Sequence, residues 1–494
     1  YDAAFGRNTQ NDHMTSMGSA STSDKRYFSG YNNDWNWVDV YAKVDYTYNN
    51  LLRLGLTAAY DGASSVCGKL GDMRVYPGVD AVLMLKNSSW LRRVDWVNKL
   101  NLYTNFSLTG NSRFGTKNFG SYYTSTPFLN IAGIVRANLG TTDHLKAEKT
   151  GTWNIGVDAS LLNNRLMLGA EYYRSKTTGV IFAGGNSALL GTSTYYRNGG
   201  KIASNGVELK VSGTPVVAKD FIWTLGGTLS TVHNRVRDMK GLGDLTYTLS
   251  DDATLITRVH ENPYSFYGYQ TNGVYATTAE ANSAYTDADG NKNALVNAKG
   301  VAYEAGDVRF VDQNGDGKID ANDRVVLGSA TPKAFGSFFT RFEYKNFALD
   351  LDFGYQWGGK AYNAMRRITE SGKDFSNQAI SMTRRWSMEG QVTDIPRAEW
   401  GDPRGNNAFS DRWIEKTDFI KLRNVTFSYT HNKPIWNFIQ GATIYVTGEN
   451  LLTFTNYLGL DPEFAYNYNA LMQGVDYGKV NAPRSVKLGV NLKF

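Results

Sequence analysis

Cysteine is almost missing from this chain of 494 residues: Cys67 stands alone. It has no partner within the chain, so no internal disulfide staples the fold and the redox compartment is not legible from it. Proline is scarce, at 10 positions, which leaves long stretches free to enter hydrogen-bonded ladders. No run of about 18 apolar residues occurs, which excludes a helical membrane span. Strong charge of one sign is missing too. The net charge is +6, and basic residues are interleaved with acidic ones. The Arg366–Arg367 and Arg384–Arg385 pairs therefore read as solvated loop charges, and no nucleic-acid partner is expected. The five histidines are scattered, with no H-E-x-x-H, nucleophile elbow or phosphate loop, so no enzyme is expected. Tyr1 opens directly into polar sequence without a leader pattern, and the start reads as a processing site or a truncation.

What the chain does have is glycine (50 residues), aromatic residues (13%) and a persistent period of two. In the last stretch Val486, Leu488, Val490, Leu492 and Phe494 alternate with Ser485, Lys487, Gly489, Asn491 and Lys493. That spacing predicts a strand with one apolar and one polar face. The same pattern recurs in hairpins at Val38–Tyr48/Leu52–Tyr60 and Trp153–Ala159/Leu166–Tyr172, with Asn49–Asn50 and Asn163–Asn164 as tight turns. It recurs again at Phe338–Tyr344/Phe347–Trp357, where Asp350 and Asp352 oppose an aromatic and aliphatic row. Mean hydropathy is only −0.40, which a barrel tolerates because its strands are half apolar. The fold class expected is all-β: an antiparallel transmembrane β-barrel, of which this chain supplies roughly 13–15 strands. Residues 1–34 read as a loop or truncated start, and 35–494 as the barrel portion. Long polar stretches near 110–149, 234–333, 358–418 and 451–483 alternate with two-residue turns. With Phe494 on the periplasmic side, all four stretches fall outside the cell.

The strongest local motif is Asp312-Gln313-Asn314-Gly315-Asp316-Gly317-Lys318-Ile319-Asp320-Ala321-Asn322-Asp323. Its spacing matches a calcium loop, with side-chain oxygens from Asp312, Asn314, Asp316 and Asp323, the backbone carbonyl of Lys318, and Asp320 directly or through water. A structural Ca²⁺ of extracellular strength is expected there. The plainer alternative is an Asp/Asn/Gly-rich turn with no ion. The carboxylates Glu343, Asp350 and Asp352 could mimic a glycosidase dyad, but on the polar face of a regular hairpin they read as a solvated wall. Tyr122–Tyr123, Tyr195–Tyr196 and Tyr466–Tyr468 are candidates for substrate stacking or interface anchoring.

Seven stretches, in order, resemble the SusC/RagA-type TonB-dependent outer-membrane transporters. Tyr60 to Ser65 is similar to that family's "RDGSS" loop, and Asn98 to Asn111 to its "LKLRASYGVTGN" strand. His144 to Leu166 is similar to "LKWEKT…NIGLDFGLFNNRL", Ser265 to Tyr269 to "SFYGY", and Asp312 to Arg324 to "DLNGDGKIDDNDR". Phe419 to Thr426 and Gly448 to Thr455 complete the set. The resemblance implies import of a glycan or peptide under a SusD-like surface lipoprotein, with a plug displaced by the TonB complex. Barrels of that kind use about 22 strands around a plugged lumen. The remaining strands, the plug and the TonB-contacting segment are therefore expected from an N-terminal part outside this chain or from another polypeptide. Two alternatives stand beside transport: a scaffold barrel in an outer-membrane complex, and a soluble secreted carbohydrate-binding β-protein.

Overall fold

The structure is a computed structural model that describes residues 2–5, 27–30, 36–63, 73–111, 123–128, 131–136, 139–140, 146–185, 194–436, 438–465 and 469–494. One antiparallel sheet dominates it, and its main path runs through thirteen strands. These are β1 (Trp37–Tyr48), β2 (Leu52–Ala63), β3 (Arg74–Met84), β4 (Val97–Asn111), β5 (Glu148–Leu161), β6 (Leu166–Gly185) and β7 (Thr194–Val217). They continue as β8 (Phe221–Thr231), β9 (Ala334–Tyr344), β10 (Phe347–Trp357), β11 (Phe419–His431), β12 (Gly441–Thr455) and β13 (Ser485–Lys493). Each strand pairs with the one before and after it, so the order in the sheet is the order in the chain. Among the described residues β1 and β13 do not pair with each other, and the wall is open between them.

The turns follow from the residues that make them. Asn49 and Asn50 both have positive φ (49° and 52°), the conformation that lets a two-residue turn match the twist of its strands. Lys345 takes the same role between β9 and β10 (φ 53°). Register is then set by the apolar rows. Phe338 faces Phe353 across β9 and β10, and the two rings stack at 4.4 Å. On the opposite face, tyrosines lie over glycines of the adjacent strand; a Cβ at Gly489 would sit 2.2 Å from the Tyr445 ring.

Burial in this wall is inverted relative to a water-soluble fold. The apolar rows face outward, with Leu488 75% and Val44 66% exposed, and they form a continuous band rather than scattered surface residues. The opposite face carries ion pairs: Arg341 donates to Glu343 and to Asp350, each at 2.8 Å. Two of the three carboxylates that could mimic a catalytic dyad, Glu343 and Asp350, are thus held by a shared arginine.

The tight turns 49–51, 162–165, 218–220 and 345–346 lie at one end of the wall, with 85–96 and 432–440, and the three longest described connections lie at the other. Short turns mark the periplasmic end of such barrels, and by that rule segments 232–333, 358–418 and 456–484 belong to the outer end. Strand β3 departs from the sequence expectation, which left it unread. Pro77 and Gly78 interrupt its pattern, and pairing with β4 starts only at Gly78, after the residue that has no N–H to give. Strands β6 and β7, of 20 and 24 residues, exceed the 9–11 or so that cross a bilayer. Their surplus extends on the outer side, where Lys201–Asn205 pairs with His233–Asp238. Within 1–34, Asp2–Phe5 pairs with Tyr27–Gly30.

An outward apolar row carries a direct consequence. Phe338→Arg places a charge where lipid belongs and is expected to cost about 2–4 kcal/mol near the bilayer midplane. Arginine at Ser428, on the polar face, is expected to be tolerated. Urea unfolding of the intact protein in lipid vesicles would compare the two.

Candidate functional site

The long outer connections, read from sequence as polar stretches, fold into a cap with its own cores. Phe266, Tyr362, Trp413 and Val475 are fully buried in one cluster, and they come from all three segments. The strand 360–363 receives 414–416 on one side and 475–476 on the other, which ties the segments together. The stretch Ser265–Tyr269 pairs with Arg324–Gly328, and the Tyr269 N–H donates to the Phe409 carbonyl at 3.0 Å. Gly268 is required for that approach, because a Cβ there would lie 2.5 Å from the same carbonyl oxygen. A second cluster packs Tyr275, Tyr303, Val308, Phe310 and Ile319.

Charge organises the cap as strongly as apolar burial does. Asp307 is 0% exposed. It accepts from Arg397 Nε at 3.0 Å and Asn406 Nδ2 at 2.8 Å, and Arg404 lies 3.3 Å from its other oxygen. Burial pushes its carboxyl above the usual range, against the Asn406 bond and the arginines. The phenols respond to burial in the same direction. Tyr275 and Tyr477 are each pushed up to about 12, and burial raises Tyr303, Tyr362 and Tyr457 further. A raised phenol stabilises the fold below its ordinary pKa of 10.0 and loses that contribution as pH climbs through the folded value. The cap is therefore expected to loosen between about pH 10 and 12, before the wall does. Hydrogen-exchange mass spectrometry across that range would report the order.

The cap is locked to the inner wall. Lys421, 3% exposed on the polar face of β11, donates to Asp461 at 2.8 Å, and Arg423 pairs with Glu463. Elsewhere on the wall, the inner face of β1–β5 forms an open concavity of about 910 Å³. Asp39, Asp61, Asp80 and Asp158 line it with Arg53 and Tyr103. Arg53 pairs with Asp80 at 3.0 Å. The charged groups share this surface with apolar side chains such as Val82 and Met84.

The Asp312–Asp323 loop lies in the cap and turns at Gly315 and Gly317, with φ of 75° and 80°. Asp312 accepts the Gly315 and Gly317 N–H groups at 2.7 and 2.8 Å. Asn314 Oδ1 accepts from Asp316 N–H, and Asp316 Oδ1 from Lys318 N–H. Asp320 and Asp323 form a capping box around the turn Ala321–Asp323, and Asp323 also accepts from Gln313 N–H at 2.9 Å. The six positions thus share one loop, with oxygens committed to backbone donors. Among the described residues no three His, Cys, Asp or Glu side chains converge closely enough to hold an ion. Tyr122, Tyr466 and Tyr468 lie outside the described residues, as do the side chains of Tyr123, Tyr195 and Tyr196. Sequence reasoning missed Asp307, Arg397 and Trp413, whose partners are remote in the chain.

Comparison with known proteins agrees with this architecture. The family model described as TonB dependent receptor-like, beta-barrel, matches residues 1–331. TonB-dependent receptor P3 of Formosa agariphila is 27% identical over 483 residues, covering 94% of this chain and 46% of that protein. TonB-dependent receptor SusC of Bacteroides thetaiotaomicron is 24% identical, covering 92% of this chain and 44% of SusC. The chain therefore spans about half the length of the curated relatives it matches. Among solved structures, the RagAB peptide transporter aligns with a TM-score of 0.78 at 22% identity, over 98% of this chain and 51% of that one. The wall, the cap and the family match agree: this chain is an outer-membrane, non-enzymatic β-barrel portion that belongs to the TonB-dependent receptor-like barrel family.

Proposed function

We propose that the intact protein imports a nutrient across the outer membrane, with TonB-complex energy reaching it through an N-terminal part outside this chain. The observation that carries this reading is the cap: a folded, multi-core structure at the outer end of a wall whose inner face is polar. A scaffold barrel has no need of so elaborate an outer structure locked to the polar inner face of the wall. In this reading the rest of the longer protein completes the ring between β1 and β13 and fills the lumen. A SusD-like surface lipoprotein rests on the cap and closes over captured cargo. The cargo is a peptide or a glycan; the similarity to a protein described as a peptide transporter favours peptide. Gentle detergent extraction of the intact protein is expected to co-isolate the lipoprotein. Uptake of the cargo into cells is expected to fail on dissipation of the inner-membrane gradient. A barrel recovered alone, whose loss leaves uptake unchanged, would leave the scaffold role.

The Asp312–Asp323 loop enters this reading as a structural calcium site. Its donors are all hard oxygens, and in each pair or singlet the hydrogen bonds leave lone pairs free. Calcium would neutralise crowded carboxylates and stiffen a surface on which the lid rests. Calorimetry on the intact protein is expected to give a Kd of roughly 10⁻⁴–10⁻³ M. Asp312→Ala with Asp316→Ala should abolish the heat and leave barrel assembly unchanged. No calcium heat from a properly folded wild type would leave a hydrogen-bonded turn and nothing more.

A further inference from the structure

At the periplasmic rim the outward face of the wall is indented. Leu166, Gly213 and Leu225 stand in one cross-strand row of β6, β7 and β8, and Gly213 has no side chain to fill its place. The register of β7 then shifts between Gly213 and Val216, so Thr214 and Pro215 bulge away from β8. The result is an open groove of about 800 Å³. Its floor and walls are apolar, from Leu162, Leu166, Val211, Pro215, Leu225 and the exposed indole of Trp96.

Two opposite charges stand on this apolar groove. Arg165 donates to the Thr214 carbonyl at 3.2 Å and the Pro215 carbonyl at 3.0 Å, which fixes its guanidinium at the groove. Those bonds use two of its five N–H groups, and among the described residues no carboxylate pairs with it. Asp95 also lines the groove, is exposed, and makes no ion pair among the described residues. The groove is continuous with the band of outward apolar side chains that meets lipid, and it sits at the short-turn, periplasmic end. Its occupant therefore comes from the periplasmic leaflet: acyl chain along the leucines and valine, headgroup at the charges.

We propose that this groove is a phospholipid site selective for a headgroup that carries both a phosphate and a primary ammonium. Arg165 would hold the phosphate and Asp95 the ammonium, so that each charge gains a partner at a membrane interface where lone charges are costly. A trimethylated ammonium has no N–H to give Asp95, and a glycerol headgroup has no cation for it. Either lipid should therefore bind more weakly.

The test is native mass spectrometry of the delipidated intact protein, titrated separately with dioleoyl phosphatidylethanolamine, phosphatidylcholine and phosphatidylglycerol. One phosphatidylethanolamine is expected to bind, with the other two weaker by about fivefold or more. Arg165→Gln is expected to weaken it by about tenfold, and Asp95→Asn to erase the preference over phosphatidylcholine. Gly213→Phe is expected to block the groove; its Cβ would meet only the Arg165 carbonyl at 3.3 Å and a Leu166 methyl at 3.7 Å. If that variant fails to assemble, the two exposed charge variants carry the test. Equal binding of all three lipids, untouched by the charge variants, would mean ordinary annular lipid and overturn the site. Displacement of the lipid by excess inorganic phosphate would overturn it in favour of a free-anion site. Sensitivity to Arg165→Gln without headgroup preference would overturn the ammonium assignment.

Discussion

Asp307→Ala is expected to unfold the part of the cap built on the Tyr275, Tyr303, Val308, Phe310 and Ile319 cluster while the membrane wall stays intact. The carboxylate is fully buried and joins two stretches far apart in the chain. From one come the Glu304 N–H, at 2.8 Å, and the Val308 N–H, which donates to Asn406 at 2.8 Å. From the other come Arg397, Arg404 and Asn406. Removing the acid leaves two arginines with only Glu304 and Glu399, both more exposed. Breaking a buried ion pair from one side typically costs about 3–5 kcal/mol, because a desolvated charge is left behind. That is enough to open a lobe held by one small cluster. Asp307→Asn keeps an acceptor for Asn406 and the Glu304 N–H, so it should cost clearly less. Hydrogen exchange should show lost protection at Tyr275, whose N–H donates to the Asp307 carbonyl, and at Val308, with β9 and β10 unchanged. Loss of exchange protection across the wall as well would mean that cap and barrel fold as one unit, contrary to the separate cores seen here.

The membrane wall was legible in the sequence because lipid imposes a strict rule on it. Every strand must alternate, and every backbone group must be paired within the sheet. A row such as Phe347, Leu349, Leu351, Phe353 therefore announces its strand without help from any other part of the chain. β3 failed to announce itself because Pro77 and Gly78 sit where two of its alternating positions should be. The outer parts of β6 and β7 failed for another reason. Beyond the bilayer no lipid demands an apolar row, and Ser175 to Thr178 and Ser204 to Asn205 give no period. The cap was read as long polar loops, and its interior shows why. Phe266, Tyr362, Trp413 and Val475 stand in short stretches with no sustained apolar period, and they come from three segments that the wall brings to one end. Asp307 and Arg397 carry no local signal, since neither is unusual until the other is beside it. The Asp312–Asp323 spacing was legible as a turn chemistry, and its backbone bonds follow that chemistry; the spacing alone said nothing of Asp323 being fully buried.

Trp413→Ala is expected to be as damaging as the loss of Asp307, and at a different point of the cap. The indole is 0% exposed, and its Nε1 donates to the Ala408 carbonyl at 3.0 Å. Two guanidinium groups stand over the ring, Arg412 at 4.6 Å and Arg366 at 5.6 Å. Arg366 is held by Glu370 and Glu415, each at 3.1 Å. Burial, and next the Arg366 charge, lower the Arg412 guanidinium to about 10; it is still charged at neutral pH, donates to the Asn406 carbonyl at 3.1 Å and rests on the ring face. The residue also ends the turn that delivers strand 414–416 to strand 360–363, which in turn receives 475–476. Truncation to alanine removes the ring from the cluster, takes away the face under Arg412 while Arg366 keeps its two glutamates, and unseats the point where three connections meet. Aromatic-to-alanine changes in cores cost about 3–5 kcal/mol. Trp413→Phe keeps a ring for the arginines and loses the Ala408 bond, so it should fall near 1–3 kcal/mol, roughly the cost of an unmet buried acceptor. In the intact protein, Trp413→Ala should expose 360–363, 414–416 and 475–476 to rapid proteolysis together. It should also reduce recovery of the proposed surface lipoprotein, whereas Trp413→Phe keeps most of it. Intact protease resistance with lost lipoprotein binding would move Trp413 from holding the cap together to contacting the partner, a role that its complete burial speaks against.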